Sequence, residues 1–314
     1  MRWWLRLRPT PSGTSHCSTG GPAEYLLGLG AFIRAARANG EPVLVAVPRG
    51  NGQLLRRELG DESAHLTFID MTQLGRNPAR IIPEIIGFAR RHPGGRTRCV
   101  AEPAWPGRSA AELRETSRHE TLANLAFRET RATILCPYNT ADLPSSVLAD
   151  AACTHPSLVS DGQEHPSTRY PGRAGAQLNC DRMLSVPPGD AETLEYARDL
   201  RPVRRFVATS RRQAGLAAEQ VTDLVLAVSE LAANTLLHTA AGGTVTIWRT
   251  KEEVICQVQD SGVITDPLVG HRMPPVDLPG GKGLWLVNQL CDLVQRRTSP
   301  TGTITRLHMR LFRN

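Results

Sequence analysis

Glu230 and Asn234 stand four residues apart in the run Glu230-Leu231-Ala232-Ala233-Asn234, a spacing that puts both on one face of a helix. His238 continues the same stripe. A polar pair on a helix is usually only solvated, so the spacing alone defines no site. Three later features give it company. Asp260-Ser261-Gly262 closes a predicted strand, where a carboxylate could accept a hydrogen bond from an adenine amino group and refuse the guanine carbonyl. The same triplet also reads as an ordinary Asx turn. Gly280-Gly281-Lys282-Gly283 stands directly before a predicted helix that opens at Leu284. Glycines let backbone N–H groups approach a phosphate, a helix N-terminus favours the anion, and Lys282 adds a point charge. In isolation that run is a flexible loop with a helix start. Thr303, in a predicted final strand, offers a hydroxyl near the same place, although threonine is also simply a good strand residue.

The elements that must position these groups can be read from periodicity. Val221, Leu224, Val225, Val228, Leu231, Ala232 and Leu236 recur at helical spacing and predict a long helix over 217–239 with an apolar stripe distinct from the polar one. A strand over 193–196 and a helix over 200–214, ended by Gly215, precede it. Strands are predicted over 244–249, 254–259, 293–297 and 302–311, with a helix over 282–291 and a Pro- and Gly-rich loop over 260–280. Helices beside a mixed sheet, not in strict alternation, indicate an α+β sandwich.

Taken in this order and spacing, the four features over residues 193–311 resemble the GHKL (Bergerat) ATPase fold. Val225-Leu226-Ala227-Val228-Ser229-Glu230-Leu231-Ala232-Ala233-Asn234 and Gly283-Leu284-Trp285-Leu286-Val287 are most similar to bacterial anti-sigma-factor serine/threonine kinases. The resemblance implies ATP and Mg²⁺ as cofactors. It implies that Asn234 ligates the metal and that Glu230 orients or deprotonates a protein hydroxyl. Asp260 would read adenine with Gly262 permitting the turn, and Gly281 and Gly283 would line a lid over the triphosphate. Gly280, Lys282, Leu284, His238 and Thr303 complete the expected nucleotide site. The implied partners are an anti-anti-sigma (STAS) protein carrying the target Ser or Thr and, through it, a sigma factor. Two other readings stay open: an ATP-dependent sequestration module that transfers no phosphate, and a sensor histidine kinase with His119 as acceptor. A homodimer is also left open.

The front of the chain has a different rhythm. Short apolar runs over 43–47, 66–69, 99–102 and 134–136 alternate with helical patterns over 23–38, 54–59, 76–90, 110–128 and 145–154, with Pro83 expected to kink or shorten the third. This predicts an α/β domain with a mostly parallel sheet. It lacks a Gly-x-x-x-x-Gly-Lys-Ser/Thr loop and a Gly-x-Gly-x-x-Gly turn, so nucleotide chemistry of its own is unsupported. Polar residues follow the strands: Asp70 leads one loop, and Glu102 leads another through Trp105 and Arg108. Strand ends of open α/β sheets are default ligand sites. Equally, Asp70 and Ser109 could cap helices, Trp105 could fill a core and the arginines could be solvated. Gly40-Glu41-Pro42-Val43-Leu44-Val45, Glu102-Pro103-Ala104-Trp105-Pro106-Gly107-Arg108, the run from His119-Glu120 to Phe127, and Cys136-Pro137-Tyr138 resemble the MEDS sensory domain. That family is RecA-like in outline, and the resemblance implies a small-molecule effector. The first strand of that family has no clear counterpart in His16-Cys17-Ser18-Thr19-Gly20-Gly21. The expected division is an irregular segment over 1–21, the sensory domain over 22–156, a Ser-, Pro- and Gly-rich linker over 157–190, and the ATP-binding domain over 191–314.

Composition sets the remaining bounds. The chain has 314 residues and a net charge of +7. The only lysines are Lys251 and Lys282, and the arginines are dispersed, which argues against the one-sided basic patch of a nucleic-acid binder. No run approaches the ~20 apolar residues of a membrane span, and the start does not read as a signal peptide. Seven scattered cysteines, with no Cys-x-x-Cys pair, predict reduced thiols and a cytoplasmic setting.

Overall fold

The computed structural model describes residues 13–160, 163–172, 175, 183–274 and 281–311. The chain forms two compact units that divide between Cys180 and Asp181.

The first unit is a seven-stranded, mostly parallel sheet with helices between its strands. In chain order it comprises β1 (Gly13–Thr19), α1 (Pro22–Ala38), β2 (Val43–Val47), α2 (Arg49–Leu59), β3 (Thr67–Asp70), α3 (Met71–Leu74), α4 (Ile81–Arg91), β4 (Thr97–Ala101), α5 (Ala110–Ala126), β5 (Ala132–Asn139), α6 (Ser145–Thr154), β6 (Ser157–Ser160) and β7 (Gln163–Pro166). The sheet order is β3-β2-β4-β5-β1-β6-β7, and only β6–β7 pair antiparallel. Every residue of β2 and β4 is buried, as expected of parallel strands covered on both faces.

Three expectations need correction. Residues 76–90 are not one helix: the Asn77 side chain caps a 3₁₀ turn over Pro78–Arg80, and α4 follows. Pro83 then lies in the first turn of α4, where its missing N–H breaks no helical bond. The segment before residue 22 is not all irregular, because β1 pairs in parallel with both β5 and β6. β1 has no apolar run to betray it. Its buried side chains are mostly polar, with Cys17 joining the apolar core: Thr14 donates to Asn124 Oδ1 at 2.5 Å and Ser15 to Glu164 Oε1 at 2.8 Å. Finally, the start of the expected linker is ordered, since β6 and β7 extend the first sheet.

The second unit comprises β8 (Glu192–Tyr196), α7 (Leu200–Thr209), α8 (Ala218–His238), β9 (Gly243–Arg249), β10 (Glu253–Asp260), α9 (Gly283–Leu290), β11 (Leu293–Ser299) and β12 (Gly302–Arg310). Its sheet is antiparallel throughout, in the order β11-β12-β10-β9-β8. Alternate residues Val254, Cys256 and Val258 of β10 join Val203 and Val207 of α7, Leu224, Val228 and Leu231 of α8, and Val287 of α9 in one core. The helices therefore cover one face of the sheet. Among the described residues no helix is long and apolar enough to cross a membrane.

Candidate functional site

The long helix α8 carries the polar pair on the edge of its buried face. Glu230 and Asn234 are half-buried, while Leu231 and Thr235 between and beyond them are buried. Both polar side chains meet the start of α9. A Cβ at Gly283 would lie 2.7 Å from Glu230 Oε2 and 3.5 Å from Asn234 Nδ2. Glycine is thus the residue that lets the first turn of α9 approach the pair. The unpaired amides of a helix N-terminus also favour a carboxylate such as Glu230 there.

Asp260 ends β10, paired with Thr303 of β12 on one side and Gly243 of β9 on the other. Its Oδ1 accepts from the Gly262 amide at 2.8 Å, and its Oδ2 accepts from the Thr235 hydroxyl at 2.7 Å. Tyr196, the last residue of β8, donates to that same hydroxyl at 2.9 Å. A chain of two hydroxyls, from β8 and α8, thereby fixes the carboxylate on β10. Burial pushes the Tyr196 hydroxyl above its ordinary range, and the Asp260 charge adds to this, so it stays a proton donor. The backbone around Asp260 is equally confined. At Gly302, with φ of 142°, a Cβ would fall 2.1 Å from the Asp260 carbonyl oxygen, and at Gly262 it would fall 2.9 Å from Asp260 Oδ1.

The other expected residues divide. Thr303 donates to the Gly262 carbonyl at 2.7 Å, so it steadies the turn after Asp260. Leu284 is half-buried and packs on the core and against Gly270. Gly281 adopts φ of 74° and, like Lys282, is exposed. Gly280 lies outside the described residues. His238 is exposed in the last turn of α8 and stands apart from the group. The residues that sequence reasoning missed are Thr235, Tyr196, Gly270 and Asn288. Asn288 Nδ2 donates to the Gly270 carbonyl at 2.9 Å, and Arg296 donates to Val269 at 2.8 Å. These bonds pin the loop after Asp260 to α9 and β11. The signal for Thr235 is a hydroxyl one turn beyond Leu231 on the apolar stripe. Among the described residues, the Thr239 hydroxyl and Trp285 Nε1 are buried without a partner. A cleft of about 450 Å³ opens at the rim beside Tyr196, Gly243 and Asp260, and neither Glu230 nor Gly283 lines it.

In the first unit Arg108 draws Trp105 and His119 into one neighbourhood, whereas Asp70 and Glu102 are each bonded to other groups. Asp70 caps α3, its Oδ1 accepting from the Thr72 amide and hydroxyl at 2.9 and 2.7 Å. Arg108 lies over the Trp105 ring at 4.1 Å and donates to the Pro103 carbonyl. Glu102 is buried, accepting from Tyr25 at 2.7 Å and from Asn51 at 2.9 Å. Burial pushes its carboxyl up to about 7 against the pull of those two bonds. His119 is buried on α5, and desolvation, then the Arg108 charge, push its imidazole down to about 3. At the turn from β1 to α1, the Glu24 carboxylate accepts from the Gly20 amide at 2.6 Å. The place where an open α/β sheet would receive a phosphate is thus taken by the chain's own acid.

The two folds agree with the comparisons. Residues 194–309 match the family model of the histidine kinase-like ATPase domain. Residues 16–156 match the model described as MEDS, the methanogen/methylotroph, DcmR sensory domain. The chain therefore carries a MEDS domain followed by a histidine kinase-like ATPase domain, and ATP is the ligand the second family implies. No curated protein matches the sequence. Among solved structures, the RsbU and RsbW domains of Rv1364c from Mycobacterium tuberculosis share 21% identity with a TM-score of 0.31. That match covers 40% of this chain and 34% of the other, so this chain spans about a third of that structure. The ATPase domain of G40P shares 12% identity with a TM-score of 0.33, over 46% of this chain and 67% of that one. Likenesses this low assign no role to any residue.

Proposed function

We propose that the second unit is a Mg²⁺- and ATP-dependent serine/threonine kinase that acts on a STAS-type anti-anti-sigma protein and thereby controls a sigma factor, with the MEDS domain as its sensory input. The observation that carries this reading is the meeting of Glu230 and Asn234 with Gly283 at the start of α9, beside an Asp260 held by Thr235 and Gly262. The residues are of types that suit the nucleotide: Asp260 is an acceptor held in place, and among the described residues the Thr239 hydroxyl and Trp285 Nε1 are buried donors without partners.

Bound ATP would supply the phosphoryl group, with Mg²⁺ offsetting its charge. Asp260 would accept the adenine amino hydrogen, its position fixed by the Tyr196–Thr235 chain. Asn234 would present its amide oxygen to the metal after a half-turn of the amide, whose nitrogen faces Gly283. Glu230 would receive the proton of the partner's hydroxyl. Catalysis of this kind is mostly positioning and charge neutralisation, and anchored groups suit both tasks.

The histidine-kinase reading is disfavoured by His119, which is 5% exposed on α5; a phosphoacceptor must reach the nucleotide of another domain. The deciding experiment incubates the full chain with labelled ATP, Mg²⁺ and candidate STAS proteins. Label on a Ser or Thr of one partner supports the kinase. Saturable ATP binding without label on any partner leaves the sequestration module.

A further inference from the structure

The first turn of α9 is held from two sides. Gly283 meets α8, where a Cβ would lie 2.7 Å from Glu230 Oε2. On the neighbouring face, Leu284 and Asn288 stand one turn apart, and both meet Gly270 in the stretch that follows β10. With φ of 80° at Gly270, a Cβ there would lie 3.1 Å from the Leu284 carbonyl oxygen and 3.1 Å from Asn288 Nδ2. That same amide nitrogen donates to the Gly270 carbonyl at 2.9 Å. Asn288 is 3% exposed and Gly270 is buried, so losing the bond would leave a carbonyl unsatisfied away from water. The stretch around Gly270 is itself folded. Asp266 Oδ1 accepts from the Leu268 amide at 2.9 Å, the His271 amide donates to the Leu268 carbonyl at 2.9 Å, and the Leu268 side chain is buried. Arg296 of β11 donates to the Val269 carbonyl at 2.8 Å. A fixed block thus joins β11 to α9 and bears on the turn that carries Gly283. The Asp260 carboxylate is held by other means, through Thr235 and Gly262, and neither bond involves α9.

We propose that Asn288 is a positioning residue of the nucleotide site. By fastening Gly270 to α9 it sets how closely Gly283 approaches the Glu230–Asn234 pair, and so it acts on the phosphates of the ligand rather than on its base. The inference rests on the nucleotide reading above, in which Asn234 serves the metal on the phosphates and Asp260 serves the adenine. A brace fixed before binding spares the ordering that binding would otherwise demand.

The test is calorimetric titration of the full chain with ATP and Mg²⁺, and with adenosine, which carries the base without phosphates. Asn288→Leu keeps a similar volume and removes the donor. ATP should then bind about tenfold more weakly, while adenosine binding should stay within about twofold of wild type, as for an independent site. A merely structural role would weaken both alike. Should Asn288→Leu not fold, Gly270→Ala, which presses a Cβ on the Leu284 carbonyl, must give the same split. Equal losses for the two ligands, undiminished ATP binding, or a wild-type chain that binds ATP but no adenosine at millimolar concentration would each overturn the proposal. A wild-type chain that binds neither ligand overturns the nucleotide reading itself, and the proposal with it.

Discussion

Asp260 is the most constrained side chain of the second unit, and its constraint is divisible. Asp260→Asn replaces one acceptor oxygen by a donor and removes the charge. ATP affinity should fall about 10–100-fold, the worth of a charge-assisted hydrogen bond, in a titration with Mg²⁺. Thr235→Val keeps the carboxylate but frees it, and affinity should fall by about tenfold or less. Equal losses in the two variants would mean that Thr235 supports the fold rather than the site. Glu230→Gln should behave differently. It removes the proton acceptor without touching the Asp260 end, so ATP binding should persist while label transfer to a partner is lost. The first group of residues was legible in the sequence because Glu230, Asn234, Asp260 and Gly283 carry their chemistry in their types and spacing. Thr235 and Tyr196 were not, because what makes them matter is a hydrogen bond between α8, β10 and β8, elements far apart in the chain.

At the scale of elements, the β10–β12 corner bears a very tight backbone approach at the site. Gly302→Ala would force a Cβ against the Asp260 carbonyl at a φ that L side chains avoid. A loss of about 1–3 kcal/mol is expected for such strain, read as a lowered midpoint in denaturant melts. Gly283→Ala meets only the end of the Glu230 side chain, so it should fold normally and act on transfer. Element types were legible wherever an apolar period existed: β2, β4, α6 and α8 fell close to their predicted spans. The failed strands share one cause, whereas the helix expected over 76–90 is divided by the Asn77 cap before Pro78. β1 buries Thr14, Ser15, His16 and Thr19, and β6 and β7 are short and half polar. Their burial comes from neighbours that no local window contains. The family match likewise ends at residue 156, one residue before β6 begins. A fragment ending there would expose the edge of β1 that β6 covers. Residues 1–156 should therefore aggregate on size-exclusion chromatography, whereas residues 1–172 should elute as a compact species.

At the scale of the whole molecule, the two units respond differently to pH. The first buries Glu102 and Glu120, whose carboxyls are pushed up to about 7 and about 8 by desolvation. It also buries His16, His119 and His155, pushed down to about 3, 3 and 4, again chiefly by desolvation. As pH rises from 4.5 through 7 to 8, the unfolded carboxyls are already ionised while the folded ones hold protons, so stability is lost. As pH falls below 6.5, the unfolded imidazoles take protons that the folded ones refuse, so stability is again lost. The first unit should be most stable at about pH 6–7, and Glu120→Gln should flatten the alkaline limb. Thermal melts followed across pH 5–9 would check both statements, and a monotonic profile would contradict them.

The placement of β1 also has a consequence in time. A ribosome releases it before the strands it pairs with, which begin at residues 133 and 157. The first strand of this sheet is thus among the last to find a place in it, and the unit cannot close until its hairpin of β6 and β7 has been made. An apolar strand left waiting that long would recruit other nascent chains. Threonine, serine and histidine let this one wait in water. The composition that hides β1 from a reader of the sequence is the same composition that hides it from its neighbours on the polysome.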